Sequence, residues 1–209
     1  MSSRSSRDRV TDISKRILDL GSAFIGLVIL SPLLLLVTIA IKLDSRGPVF
    51  FRQTRIGRNG TPFQIFKFRS MVTEQPDEAL SITSADDERV TAVGAWLRKY
   101  KIDELPQLLN VLQGDMSLVG PRPELPEYVA MYPPAVKDLV LSVRPGITDF
   151  AAIEFRDESS MLAEAEDPEQ FYIEQVLPRK LELYVRYVSE RSLFLDIRLI
   201  MRTLARLWT

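Results

Sequence analysis

Two adjacent carboxylates, Asp103 and Glu104, follow a run of cations (Arg98, Lys99, Lys101) and precede a Pro-flanked arginine, Arg122. Pro106 suits the first turn of a helix, where its missing N–H leaves no bond unmade, and Leu105, Leu108, Leu109 and Leu112 form an apolar stripe behind it. This spacing predicts a helix whose N-terminus carries the acidic pair. At such an end the helix dipole holds a carboxylate ionised and attracts phosphate. The chemistry suggested is an Asp acting as nucleophile or metal ligand beside phosphate-binding arginines. An ordinary Asp N-cap in a solvated charge cluster accounts for the spacing equally well.

The 209 residues suffice for one domain, or one domain plus a membrane element. There is no Cys and no His. Thiol catalysis, disulfides and thiolate metal sites are therefore excluded, and acid–base, nucleophilic or metal-binding roles fall to Asp, Glu, Lys, Ser, Thr and Tyr. An all-oxygen site points to a hard cation such as magnesium. The net charge of −1 conceals an asymmetry: residues 1–19 carry five Lys/Arg and three Asp, and residues 42–70 carry seven Lys/Arg and one Asp. These basic stretches bracket an apolar run, as expected of a surface facing anionic lipid headgroups, and nucleic acid is not an expected partner.

The apolar run, Leu20 to Ile41, has 22 residues without a charge, about 33 Å as a straight helix and long enough to span a bilayer. It is too long for a signal peptide and lacks a small-x-small cleavage site before Lys42. A single-pass helix is the default reading. Two features oppose it. Cations stand on both flanks, and positive residues prefer the cytoplasmic side, so both ends claim the same side. Ser31-Pro32 lies at mid-run, where proline cannot donate to the Val28 carbonyl and kinks the helix, while the Ser31 hydroxyl can bond that carbonyl instead.

Val49–Ile56 and Phe63–Met71 are β-rich runs separated by Gly57-Arg-Asn-Gly60, which predicts a β-hairpin. Lys67 and Arg69 share one face of its second strand by the period-two rule. They are either an exposed basic edge or part of an anion site. Glu74–Glu88 is acidic and apolar-poor, so it reads as a loop leading into a helix around Val90–Tyr100. Ala163–Glu174 is helical in character. Leu181–Tyr187 and Leu193–Leu207 are amphipathic; the latter carries Arg198, Arg202 and Arg206 and lies either on a membrane surface or against the core.

Taken together, these blocks resemble the signature of the bacterial sugar transferase family, the monotopic phosphoglycosyl transferases. That signature runs from a basic residue through Asp-Glu-Leu-Pro-Gln, Gly-Asp-Met-Ser and Val-Gly-Pro-Arg-Pro to Arg-Pro-Gly-Ile-Thr. Here these blocks are residues 103–107, 114–117, 119–123 and 144–148, and the match includes Lys15-Arg16, Asp19, Ser31-Pro32 and Phe66–Met71. After Thr148 the chain departs from a common family pattern, reading Asp149-Phe-Ala-Ala-Ile153 where many members have Gly-Trp-Ala-Gln-Val.

The resemblance implies an α+β fold: a mostly helical, membrane-associated catalytic domain with a small β-hairpin and an N-terminal re-entrant membrane helix broken at Ser31-Pro32. Residues 1–45 would hold the membrane helix-hairpin and residues 46–209 the cytoplasmic catalytic domain. It resembles the small form of the family, with no further membrane helices or sensor-like domain preceding it. The implied reaction moves a phospho-sugar from a UDP-sugar to polyprenol (undecaprenyl) phosphate at the bacterial inner membrane. UMP leaves, an aspartyl phospho-sugar intermediate forms, and surface glycan or glycoprotein synthesis begins. Asp103 is the expected nucleophile, Glu104 its partner, and both are expected magnesium ligands. Arg98 and Arg122 are the expected phosphate clamps, with Lys67, Arg69 and Arg144 behind them. Membrane lipid, a second copy of the chain and later glycan-pathway enzymes complete the expected partners. The rivals are a non-enzymatic membrane scaffold and a different magnesium-dependent lipid phosphotransferase.

Overall fold

The structure is a computed structural model that describes residues 6–72 and 87–206, with side chains from Asp12 onward. Most of the acidic stretch 74–88 lies outside the described residues. The chain opens with α1 (Ser6–Asp44) and a hairpin of β1 (Phe50–Ile56) and β2 (Pro62–Phe68). Next come α2 (Ala92–Lys99), a 3-10 turn (Ile102–Glu104), α3 (Gln107–Gln113) and β3 (Ser117–Val119). Two short helices, α4 (Pro126–Ala130) and α5 (Pro134–Val140), lead to β4 (Gly146–Thr148). The remainder is helical: α6 (Phe150–Glu154), α7 (Glu158–Ala163), α8 (Pro168–Phe171), a π turn (Tyr172–Val176), α9 (Leu177–Glu190) and α10 (Leu193–Arg206). The mostly helical architecture and the antiparallel hairpin agree with the sequence.

The window Asp12–Asp44 of α1 is, among the described residues, the one helix long and apolar enough to cross a membrane. Its helical conformation continues through Ser31-Pro32, so the break expected there is not a loss of helix. The local chemistry explains the continuity: Ser31 Oγ donates to Val28 O at 2.8 Å, occupying the carbonyl that Pro32 leaves without an amide donor.

Both halves of α1 pack against the rest of the chain. Ala23 joins Ile65, Val111 and Met116 in one core cluster, while Val37 and Ile41 join Phe68 and Leu97 in another. The ends are also tied by polar contacts. Arg16 donates to the carbonyls of Val111 (2.7 Å) and Leu112 (3.2 Å), which lie in the last turn of α3. Asp44 accepts from the amide of Val93 in the first turn of α2 (3.2 Å). Phe24, Val28, Ile29, Leu35 and Leu36 point their large apolar side chains outward.

A second sheet was not expected from the sequence. β3 and β4 pair in parallel, Ser117 opposite Gly146 and Val119 opposite Thr148, and so bring the Gly-Pro-Arg-Pro and Arg-Pro-Gly-Ile-Thr blocks side by side. The approach is close enough to demand glycine. A Cβ on Gly146 would stand 2.0 Å from Gly120 N, and one on Gly120 would stand 2.5 Å from Arg144 O. The largest core cluster gathers Tyr128 and Val129 of α4, Tyr172 and Val176 of the π turn, and Leu183 and Tyr184 of α9.

Candidate active site

Lys101 has φ = 56°, the left-handed region that residues with a Cβ seldom occupy. It reverses the chain after α2 and starts the 3-10 turn that carries Asp103 and Glu104. The acidic pair therefore sits in its own turn ahead of α3, with Pro106 preceding the helix, and not in the first turn of the α-helix as its spacing suggested. Placing the pair in a separate turn lets the two adjacent carboxylates take different environments.

Glu104 is held by two cations. Lys67 Nζ donates to its Oε1 at 3.0 Å, and the Arg122 guanidinium forks across both oxygens, with NH1 at 3.2 Å from Oε2 and NH2 on Oε1. Burial by itself would raise the Glu104 pKa, yet Arg122 and Lys67 outweigh it and hold the carboxyl well below the usual range. Asp103 is buried with no hydrogen-bond partner on Oδ1 among the described residues. Burial first, and then the Glu104 charge, push its pKa up to about 6, against the pull of Lys67, Lys101 and Arg98. One carboxylate is thus locked and held in its charged form at neutral pH, while its neighbour titrates near neutrality.

A residue missed by sequence reasoning fixes the strand that supplies Lys67. Asn110 is fully buried in α3; its Oδ1 accepts from Phe66 N (2.9 Å) and its Nδ2 donates to Gln64 O (2.8 Å). The available signal was a lone amide within the apolar stripe Leu108-Leu-Asn-Val-Leu112. Arg98 stands in the last turn of α2, close enough for its charge to act on Asp103.

Two expected site residues are not brought here. Arg69 follows the last residue of β2, so strand alternation no longer governs it. Its guanidinium is buried against the end of α1, donating to the carbonyls of Ile41, Ser45 and Arg46. Arg144 donates to Gly114 O (2.8 Å), the residue that ends α3, and lines a small separate recess with Arg16, Asp19 and Tyr187. Both arginines terminate helices and contact neither carboxylate.

Glu104 borders a cavity of about 450 Å³, a volume usual for small-molecule sites, and Asp103 lies next to it in the chain without being part of the cavity wall. Lys101, Glu104 and Arg122 form part of its wall, and Leu105, Leu108 and Ile147 give it an apolar side. The departing segment after Thr148 also lines it, through Ala151, Ala152, Ile153, Phe155, Arg156 and Glu158.

A sequence profile of the bacterial sugar transferase family matches residues 10–209. The chain belongs to the bacterial sugar transferase family. Curated relatives of the chain are found in several bacteria. An undecaprenyl-phosphate glucose phosphotransferase of Komagataeibacter xylinus is 44% identical over 93% of this chain and 36% of its own length. A UDP-glucose:undecaprenyl-phosphate glucose-1-phosphate transferase of Caulobacter vibrioides is 39% identical over 95% of this chain and 71% of its own. A UDP-N-acetylgalactosamine-undecaprenyl-phosphate N-acetylgalactosaminephosphotransferase of Aeromonas hydrophila is 37% identical over 93% and 44%. The chain thus spans less than half the length of two of these three relatives.

Among the described residues no group of three or more acidic side chains gathers as a metal site. The adjacent pair nevertheless fits magnesium, which commonly takes one or two carboxylates and completes its shell with substrate phosphates and water. The partnerless Asp103 Oδ1 is the oxygen most open to such an ion.

Proposed function

We propose that this transferase moves a phospho-sugar from a UDP-sugar to undecaprenyl phosphate, releasing UMP, and does so in two displacements at Asp103. The observation that carries the reading is a buried Asp oxygen, without a partner among the described residues, next to a carboxylate that is locked by Lys67 and Arg122 and itself lines a ligand-sized cavity. In the first displacement an Asp103 oxygen attacks the sugar-linked phosphorus. The bond to the UMP oxygen breaks, UMP leaves with that electron pair, and an aspartyl phospho-sugar remains. In the second, an oxygen of the lipid phosphate attacks the same phosphorus and frees Asp103. Each displacement then joins only two reactants, and two mutually repelling anionic substrates need not meet directly.

Arg122, Lys67, Arg98 and Lys101 supply positive charge for the diphosphate, and Glu104 keeps Arg122 and Lys67 in place. Asp103 and Glu104 are the residues that would hold magnesium. The ion would neutralise charge on the departing phosphate. At pH 7 a carboxyl with a pKa near 6 is mostly ionised, which the nucleophile requires.

The re-entrant membrane topology belongs to the same proposal. The polar ends of α1, at Arg16 and Asp44, are both bonded to the catalytic body, which supports placing both on the cytoplasmic face with the apolar middle dipping into the bilayer. Single cysteines at Ser14 and Ser45 suit a test because the native chain has none. Both should resist an impermeant thiol reagent in intact spheroplasts and react after permeabilisation. Labelling of one alone from outside means a single pass.

The decisive experiment for the chemistry incubates membranes holding the protein with labelled UDP-sugars, with and without undecaprenyl phosphate. UMP release and label on Asp103 in the absence of the lipid support the two-step reading. Labelling that requires the lipid overturns it in favour of a ternary complex. Absence of UMP with every UDP-sugar favours a scaffold or a different phosphotransferase.

A further inference from the structure

Away from the acidic pair, the same cavity is walled by a second charged group that the chemistry above leaves unused. Lys180 of α9 is buried, its ammonium bonded to Glu158 (2.8 and 3.0 Å) and 3.6 Å from Glu124 Oε1. Glu124 also accepts from Tyr172 OH (2.9 Å) and lies 3.6 Å from Arg55. Among the described residues neither the hydroxyl of Tyr184, fully buried on the same wall, nor Arg55 Nε has a hydrogen-bond partner. Burying such groups unsatisfied is costly, and it persists where a ligand completes them.

We propose that the wall formed by Glu124, Glu158, Lys180 and Tyr184 is the glycosyl subsite, which reads the hydroxyl groups of the transferred sugar. The proposal rests on the phospho-sugar transfer reading above.

Three observations select a neutral polyol as the occupant. The first is charge: around the acidic pair four cations (Lys67, Arg98, Lys101, Arg122) act on two carboxylates, whereas here two cations (Lys180, Arg55) face two carboxylates. Lys180 and Arg55 therefore leave no surplus positive charge of their own for a phosphate. The second is stacking. A nucleobase stacks on a free aromatic face, and the Tyr172 ring beside Lys180 offers none, being covered by the Lys180 ammonium at 4.7 Å and packed against Tyr128 at 4.9 Å. The wall instead offers both donors (Lys180, Tyr184) and acceptors (Glu124, Glu158), the two capacities that a sugar hydroxyl needs. The third is continuity: Arg122 and Glu124 are separated by a single proline and line one cavity, so a sugar attached to a phosphate on Arg122 reaches this wall.

Tyr184→Phe is the sharpest variant, because the deleted hydroxyl has no partner among the described residues and its loss leaves none of them unpaired. Glu158→Gln removes a charged acceptor. With the UDP-sugar that the wild type uses best, kcat/KM should fall about 5- to 10-fold in Tyr184→Phe and about 10- to 100-fold in Glu158→Gln. Preference among UDP-glucose, UDP-galactose and their N-acetyl forms should narrow. Inhibition by UMP, which has no sugar, should change less than about twofold. Unchanged kinetics in both variants, an equal loss for every UDP-sugar, or weakened UMP binding would overturn the subsite; the last assigns this wall to the nucleotide. Calorimetric binding of UDP-sugar against UMP applies the same criterion without turnover. A wild type that binds UDP-sugar but never releases UMP therefore refutes the transfer reading alone.

Discussion

Two of the clusters of buried charge in this chain differ in how completely they are satisfied. Around the junction of α1 and α10, Lys15 bonds Asp196 Oδ2 at 2.6 Å, Tyr187 OH donates to Asp196 Oδ1 at 2.9 Å, and Asp19 accepts from Leu118 N at 3.1 Å. Each carboxylate there has a partner, and the cluster ties the N-terminal part of α1 to the C-terminal helices. Around Asp103 and Glu104 one carboxylate is equally well held, but the other keeps an oxygen without a partner. A closed network stabilises one arrangement and has nothing left with which to bind. An open one retains binding capacity at the expense of stability, the usual mark of a functional site.

The largest effect should come from the open cluster. Asp103→Asn is nearly isosteric and removes a buried charge, so the protein should fold and reach the membrane while turnover drops by at least about 1000-fold. Activity within about tenfold of wild type, roughly 1.4 kcal/mol of barrier, would show that the open oxygen is not the nucleophile.

The closed cluster should respond in stability. Lys15→Met leaves Asp196 buried with its main charge partner gone, at a cost of about 3 kcal/mol. A lower melting temperature in detergent, with the activity of the folded fraction kept within about threefold, is the expected result. A selective loss of kcat at unchanged stability would erase the distinction between the clusters.

Acid should separate the two carboxylates of the open cluster. Activity should rise with pH through about 6 and level off above 7, following Asp103, whereas Glu104 stays ionised throughout that range. The stability signs are opposite. Asp103 is raised above its unfolded value, so ionising it between about pH 4 and 6 lowers stability, and acidification restores what was lost. Glu104 is lowered, so its contribution is present above its unfolded value near 4.5 and is lost as pH falls through the folded one. A rate profile flat from pH 5 to 8 would remove Asp103 from the chemistry.

The smallest effect is expected at Arg144. Arg144→Gln should change KM for UDP-sugar less than about twofold and cost about 1 kcal/mol through its bond to Gly114 O. A large rise in KM would return Arg144 to the phosphate site.

Sequence by itself determined the elements that depend on local chemistry. The apolar period of α3, the Asn-Gly turn between β1 and β2, the uncharged run of α1 and the amphipathic α10 all follow from spacing and turn residues. The adjacency of Asp103 and Glu104 is covalent, so no fold was needed to see it. Only the tertiary structure decided how the two differ. Lys67, Glu104 and Arg122 come from three segments, and which carboxylate receives the cations depends on the left-handed turn at Lys101 and on Asn110 holding β2. Lys67 and Arg69 look equivalent by strand alternation, but the strand ends between them and burial sends Arg69 to the end of α1. The parallel pairing of β3 with β4 was equally invisible, because three-residue strands carry no periodic signal and their partners lie far apart in the chain. Lys180 reads as one charge on an amphipathic helix; its role follows from meeting Glu124 and Glu158 in the interior, and long-range packing alone sets such a meeting.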